Sequence, residues 1–180
     1  MEFEPTAIDG VTLIHPRKIG DDRGHFMRAF CEQEFADAGL PTCFVQCNLA
    51  VSKLKGTMRG LHFQTGEHAE AKLMRCVQGA IFDVAVDIDP DSPTYLQWVG
   101  VELSAENGLA LLISENCAHG YLTLTDDAVT YYHSSAFYAP DAEGGLHYAD
   151  PAVGIRWPIE PVEVSDKDRG WQHIEQGASK

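Results

Sequence analysis

His62 lies in the run Arg59-Gly60-Leu61-His62-Phe63-Gln64, and Lys72 and Arg75 follow on the next strand-like segment. Fixed cations beside an imidazole favour its neutral form, which accepts a proton near neutral pH. The same cations suit a diphosphate and an enolate that develops during reaction. Further along, Tyr131, Tyr132 and Tyr138 offer a phenolic acid and a stacking surface within one short stretch. Side chains alternate along a strand, so Tyr132 shares a face with Thr130 and Ser134, and Tyr131 shares one with Val129 and His133. The pattern alone does not decide which tyrosine faces the histidine. A base, an acid and a basic cluster are what proton transfer beside a carbonyl of a phosphorylated molecule requires.

The elements that must hold these residues are mostly strands. Ile81 to Ile88 alternates, with Phe82, Val84, Val86 and Ile88 on one side and Asp83 and Asp87 on the other, where they are expected to face solvent. Pro90-Asp91-Ser92-Pro93 reads as a turn, followed by strand-like runs at Leu96 to Leu103 and Leu109 to Ile113. Tyr121 to Leu124 and Val129 to Ser134, joined through Asp126-Asp127, read as a hairpin. Glu32 to Ala38 has helical composition and stops before Gly39, a residue suited to a C-cap. Strands at regular spacing with few helices predict an all-β fold, an antiparallel jelly roll or small barrel whose mouth can hold a ligand. With no repeat, linker or low-complexity tract, the 180 residues are expected to form a single domain, 1–180.

The net charge of -14 excludes non-specific binding to nucleic acid or to an anionic membrane surface, since both would be repelled. Nine of the thirteen basic residues nevertheless lie between Arg17 and Arg75, which leaves room for an anion site within an acidic shell. Metal binding is not expected. Phe63-Gln64 follows His62, so no second histidine stands one residue on, and His62, His68 and His119 do not combine with Glu67 or Glu70 at any compact ligand spacing. No basic start followed by an apolar run is visible, and no stretch approaches the ~20 apolar residues of a membrane span, so the expected compartment is the cytoplasm. Five cysteines without a CxxC pair read as reduced packing thiols.

Asp22-Arg23-Gly24, the Arg59 to Gln64 run, Ala118-His119-Gly120-Tyr121, Asp150-Pro151 and Ser165-Asp166-Lys167-Asp168 occur in this order. Together they resemble the dTDP-4-dehydrorhamnose 3,5-epimerase family, over a span from about Leu13 to Trp171. The resemblance implies a cupin-type jelly-roll barrel and an isomerase that inverts C3, C5 or both in a nucleotide-diphosphate 4-keto-6-deoxyhexose. It implies that His62 removes the proton next to the ketone, Asp168 orients His62, Lys72 stabilises the enolate and Tyr132 returns a proton from the other face. Arg23 and Arg59 would grip the diphosphate, Tyr138 would stack on the base, and Gln46, Asn48, His119, Glu143 and Lys167 would line the nucleotide-sugar site. It further implies no cofactor, no metal, and a homodimer in which exchanged strands carry some site residues to the partner.

Three positions depart from the family pattern. Arg28 stands where a glutamate is usual, and a guanidinium cannot accept the hydrogen bonds of a carboxylate, so Arg28 is a candidate for altered substrate recognition. One residue more than usual lies between Asn48 and Gly56, expected in the turn at Lys53-Leu54-Lys55-Gly56, and Gly144 replaces a residue that is often basic. A ketoisomerase using the same base, and a non-catalytic sugar-binding cupin, are the alternative readings. Deuterium uptake from solvent separates a proton-transfer enzyme from a binder.

Overall fold

The computed structural model describes residues 1–174. In chain order the strands are Glu2–Pro5 (β1), Val11–His15 (β2), Lys18–Asp21 (β3), Gly24–Met27 (β4), Gln46–Ser52 (β5), Thr57–Gln64 (β6), Lys72–Gln78 (β7), Ala80–Asp87 (β8), Trp98–Ser104 (β9), Ala110–Ile113 (β10), Cys117–Thr123 (β11), Ala128–Ser134 (β12), Glu143–Gly145 (β13) and Glu163–Val164 (β14). Two short α-helices, Glu32–Asp37 (α1) and Asp166–Arg169 (α2), and two 3-10 turns, Gly66–His68 and Pro140–Ala142, complete the regular structure among the described residues. One large sheet runs β1-β2-β10-β7-β12-β5, a second β13-β6-β11-β8-β9 with β14 added parallel to β6, and β3-β4 form a separate two-stranded hairpin. The all-β antiparallel jelly roll with few helices is therefore the architecture observed. The two sheets face each other without closing into one continuous hydrogen-bonded barrel.

Three apolar clusters hold the layers. Between the sheets, Val11, Met74, Leu111 and Ile113 of the first meet Ile81, Ala85, Leu103 and Tyr121 of the second. On the outer face of the second sheet, Met58, Leu61, Val84, Val86 and Leu122 pack under the C-terminal segment through Leu146, Val153, Trp157 and Val164. On the outer face of the first, Ile14, Leu73 and Leu112 receive Phe35 from α1, with Phe3, Phe30 and Phe44 around it. Gly39 follows α1 with φ of +71°, the left-handed geometry expected of a cap there.

This layering corrects the expectation for β8. Its apolar face, Val84 and Val86, packs outward beneath the C-terminal segment, and its polar face looks inward. Asp83 is fully buried and Asp87 nearly so, not solvent-facing. The expected hairpin is also corrected. β11 and β12 belong to different sheets, so residues 124–127 cross from one wall to the other. A second crossing, 53–56, joins β5 to β6 at the same end, and the two links are laced together. Lys55 N–H donates to Asp126 at 2.7 Å and Asp127 N–H to the Lys53 carbonyl at 3.1 Å. Gly56 N–H donates to the Thr123 carbonyl at 2.9 Å. Cys76 and Cys117 are buried as expected of packing thiols, but Cys43 and Cys47 are exposed.

Candidate active site

A cavity of about 470 Å³ lies between the sheets, lined by His62, Arg59, Lys72, His119, Tyr132 and Asp168 among others. A second chamber of about 290 Å³ is lined by Gln46, Asn48, Glu70, Ser134 and Tyr138. Both chambers are bordered by His62, Lys72, Tyr132 and Glu143, so they form one cleft.

The His62 wall depends on an interruption in β6. Strict alternation would send Arg59 and His62 to opposite faces. A register shift between β6 and β11 at Gly60 turns both toward the cleft. Gly60 has φ of +104°, and a Cβ there would lie 2.6 Å from the His119 carbonyl oxygen, so glycine is required on both counts. β14 then runs parallel to β6 and delivers α2 beside this segment. Ser165 caps α2 by accepting the Asp168 N–H at 3.1 Å, which leaves the Asp168 carboxylate free to turn toward β6.

That carboxylate meets His62 Nε2 at 2.6 Å with Oδ1, and accepts the Gly60 N–H at 3.3 Å with Oδ2. Burial alone would raise the Asp168 carboxyl. The hydrogen bond and charge of His62, with help from Ser165 and Gly60, outweigh it and hold the carboxyl below its ordinary range. An ionised Asp168 only accepts, so His62 Nε2 is the donor of this bond. Trp171 lies edge-on to the imidazole, ring centroids 6.3 Å apart.

The opposite wall carries Tyr132. On β12, Thr130 and Ser134 are buried inward and Tyr132 packs with the inter-sheet cluster. Tyr131 points out and donates to Cys47 Sγ at 3.2 Å, which resolves the choice left open by alternation. Burial raises the Tyr132 phenol, as do the nearby Tyr121 and Glu70, against the opposing effect of Arg59. A phenol so held stays protonated and can donate. Lys72, the cross-strand partner of Ser134, places its ammonium 3.1 Å from Glu70 Oε1.

His119 is the direct cross-strand partner of His62 and has a carboxylate of its own, Asp83 Oδ1 at 2.7 Å from Nε2. Arg59 is aimed by Ser52 Oγ at 3.1 Å and the Val51 carbonyl at 3.2 Å. At the cleft mouth Lys167 pairs with Glu143 at 2.6 Å, and the Tyr138 hydroxyl donates to the same carboxylate at 3.0 Å. Gln46 accepts the Tyr138 N–H at 2.6 Å, tying the two predicted residues together.

Three cations do not join this group. Arg23 sits at the tip of the β3–β4 hairpin, exposed and paired with Asp21. Arg28 pairs with Glu34 of α1 at 2.9 Å, also outside the cleft. Arg75 is on the outer face of β7, buried and donating to the Gly108 and Ala29 carbonyls, so it is not one of the cations beside His62. The sequence reading missed Asp83, Glu70 and Ser165. Ser165 was visible as a cap signal three residues before Asp168, and Glu70 by its two-residue spacing from Lys72. Asp83 had no local signal. Among the described residues no three His, Cys, Asp or Glu side chains gather into a metal-binding group.

The chain matches the dTDP-4-dehydrorhamnose 3,5-epimerase family over residues 5–176. It is 46% identical over 173 residues to the enzyme of that name from Salmonella typhimurium, covering 95% of this chain and 94% of the relative. The fold superposes on the Bacillus anthracis dTDP-4-dehydrorhamnose 3,5-epimerase crystal structure with TDP and PPi bound, TM-score 0.93 and 38% identity, covering 96% of this chain and 99% of that one. It also matches a Legionella pneumophila dTDP-6-deoxy-D-glucose-3,5-epimerase in complex with dTDP-4-keto-L-rhamnose, TM-score 0.90 and 39% identity, covering 96% and 92% of the two chains. Sequence along nearly the whole chain and the fold agree, and the chain belongs to the dTDP-4-dehydrorhamnose 3,5-epimerase family.

Proposed function

We propose that this protein inverts C3 and C5 of a dTDP-linked 4-keto-6-deoxyhexose through enolate intermediates, giving the dTDP-4-dehydrorhamnose configuration. The observation that carries this reading is the placement of His62 and Tyr132 on opposite walls of one cleft. Inversion needs a proton taken from one face of the sugar and returned to the other, and two facing sheets supply that geometry.

In this reading His62 Nδ1 removes the proton flanking the ketone, and Asp168 fixes its tautomer and stabilises the imidazolium. Lys72 donates to the oxygen as enolate charge develops, and Tyr132 protonates the opposite face. Carbon acids next to a ketone need only base, acid and oxyanion donors, so the chemistry calls for no cofactor. Arg59 and His119 bind the diphosphate side, while Gln46, Asn48, Tyr138, Glu143 and Lys167 line the nucleotide end.

The reading includes a homodimer acting in the cytoplasm, a compartment suited to five free thiols. Support for the dimer is an edge strand, β5, exposing Leu49 and Val51, and a hairpin exposing Ile19 and Phe26. Pairing along these surfaces would carry Arg23 to the partner's cleft, where it reaches the diphosphate. The pairing of Arg28 with Glu34 supports a role for Arg28 in seating that hairpin, in place of direct substrate contact. Clusters that share the same two sheets support a single domain.

The test is turnover of dTDP-4-keto-6-deoxyglucose in D2O, followed by NMR. The proposal requires deuterium at both C3 and C5 with net inversion. Label at C3 alone would restrict the activity to one centre, and no label would leave a binding protein.

A further inference from the structure

Glu70 is a carboxylate inside the cleft with no part in the chemistry above. It stands two residues before Lys72, in the segment that leads into β7, and lines the same chamber. One oxygen lies 3.1 Å from Lys72 Nζ, and the other accepts the Ser134 hydroxyl. Ser134 is in turn the cross-strand partner of Lys72. Glu70, Ser134 and Lys72 thus close a triangle across β7 and β12. The Glu70 and Lys72 side chains are each only 12% exposed, so their attraction is little screened by solvent.

We propose that Glu70 is a positioning residue: through its bond to Lys72 and its anchor on Ser134 it aims the ammonium into the cleft, in the chamber that Tyr132 also lines. This rests on the roles proposed above for Lys72 and Tyr132. A lysine has four rotatable bonds and three donors. With one donor spent on Glu70 the chain is fixed and two remain for a substrate oxygen. The titratable and charged groups lining the chambers with Tyr132 are Tyr121 and His119 from β11, Arg59 and the Asp168-bound His62 from β6, Lys72 from β7, Glu143 from β13, Glu163 from β14, Lys167 from α2, and Tyr138 after β12. β5 brings the neutral Gln46 and Asn48. Glu70 supports the protonated phenol within this set, behind burial and Tyr121 in size.

The test compares Glu70→Ala and Glu70→Gln with wild type and Tyr132→Phe, reading deuterium uptake and net inversion across pH with dTDP-4-keto-6-deoxyglucose. Glu70→Ala frees Lys72, so kcat for exchange falls about 10- to 100-fold with KM nearly unchanged. Glu70→Gln keeps an oxygen for Lys72 and a polar group for Ser134, so it restores exchange at neutral pH. Lacking the negative charge, it moves the alkaline limb of net inversion to lower pH. Wild-type kinetics and pH profile in Glu70→Ala would overturn the proposal. So would equal loss in both variants with unmoved pH limbs, the mark of a packing role. Tyr132→Phe with undiminished inversion would instead overturn the acid assignment, and the Lys72 arm would still be judged by exchange in Glu70→Ala.

Discussion

Asp168 Oδ1 lies 2.6 Å from His62 Nε2, although the two residues are 106 positions apart in the chain. The contact is made by a parallel pairing of β14 with β6 that leads straight into a serine-capped turn. Nε2 of the imidazole is thereby assigned to the carboxylate, in a residue that lines the cleft.

Asp168→Asn should lower kcat for deuterium exchange by about 10²- to 10⁴-fold, because the amide no longer enforces the tautomer or stabilises the imidazolium. The same variant has a pH signature. The Asp168 carboxyl is depressed in the folded protein, so the unfolded chain binds more protons between the folded value and the ordinary value of about 3.9. Its contribution to stability is complete above that ordinary value and disappears as pH falls through the folded one. Urea unfolding below about pH 4 should show a shallower loss of stability with acid in Asp168→Asn than in wild type.

Tyr132→Phe should preserve deuterium uptake while net inversion drops about 10²-fold or more, since proton removal and proton return are made on different walls. Mass and NMR analysis of the recovered sugar separates the two. Parallel loss of both would point to a binding role for the hydroxyl.

Asp83→Ala leaves the buried His119 Nε2 without its acceptor, and an orphaned buried hydrogen-bonding group costs about 1–3 kcal/mol. Denaturant unfolding should show a loss of that size. A change below ~1 kcal/mol would mean that the pair contributes little to the fold.

Leu49→Asp places a charge on the exposed face of β5 and should give a monomer in sedimentation velocity. If Arg23 acts across the dimer, that monomer binds the nucleotide diphosphate more weakly than wild type. A monomer with wild-type affinity would confine the site to one chain.

Much of this was legible in local pattern. The alternation over β8, the helix stopping at Gly39 and the motif around His62 each carry their information within a few residues. The errors arose where position in a sheet decides. Alternation separates the two faces of β8 but does not say which is solvated. In a strand between β11 and β9, under a C-terminal cover, neither face is. Asp126-Asp127 suits a turn whether the chain returns to its own sheet or crosses to the other. Arg75 differs from Lys72 only in parity, and parity places it outside. Arg23 and Arg28 depend on contacts that their own sequence neighbourhoods do not encode.

The two laced crossings at 53–56 and 124–127 make the cleft a pair of walls joined at one end. One link leads from β5 into the wall that bears His62, and the other leads into the wall that bears Tyr132. The gap between the walls is therefore tied to the length of two short connectors at one end. Cleft width is in this sense written into chain connectivity as well as into the side chains that line the walls.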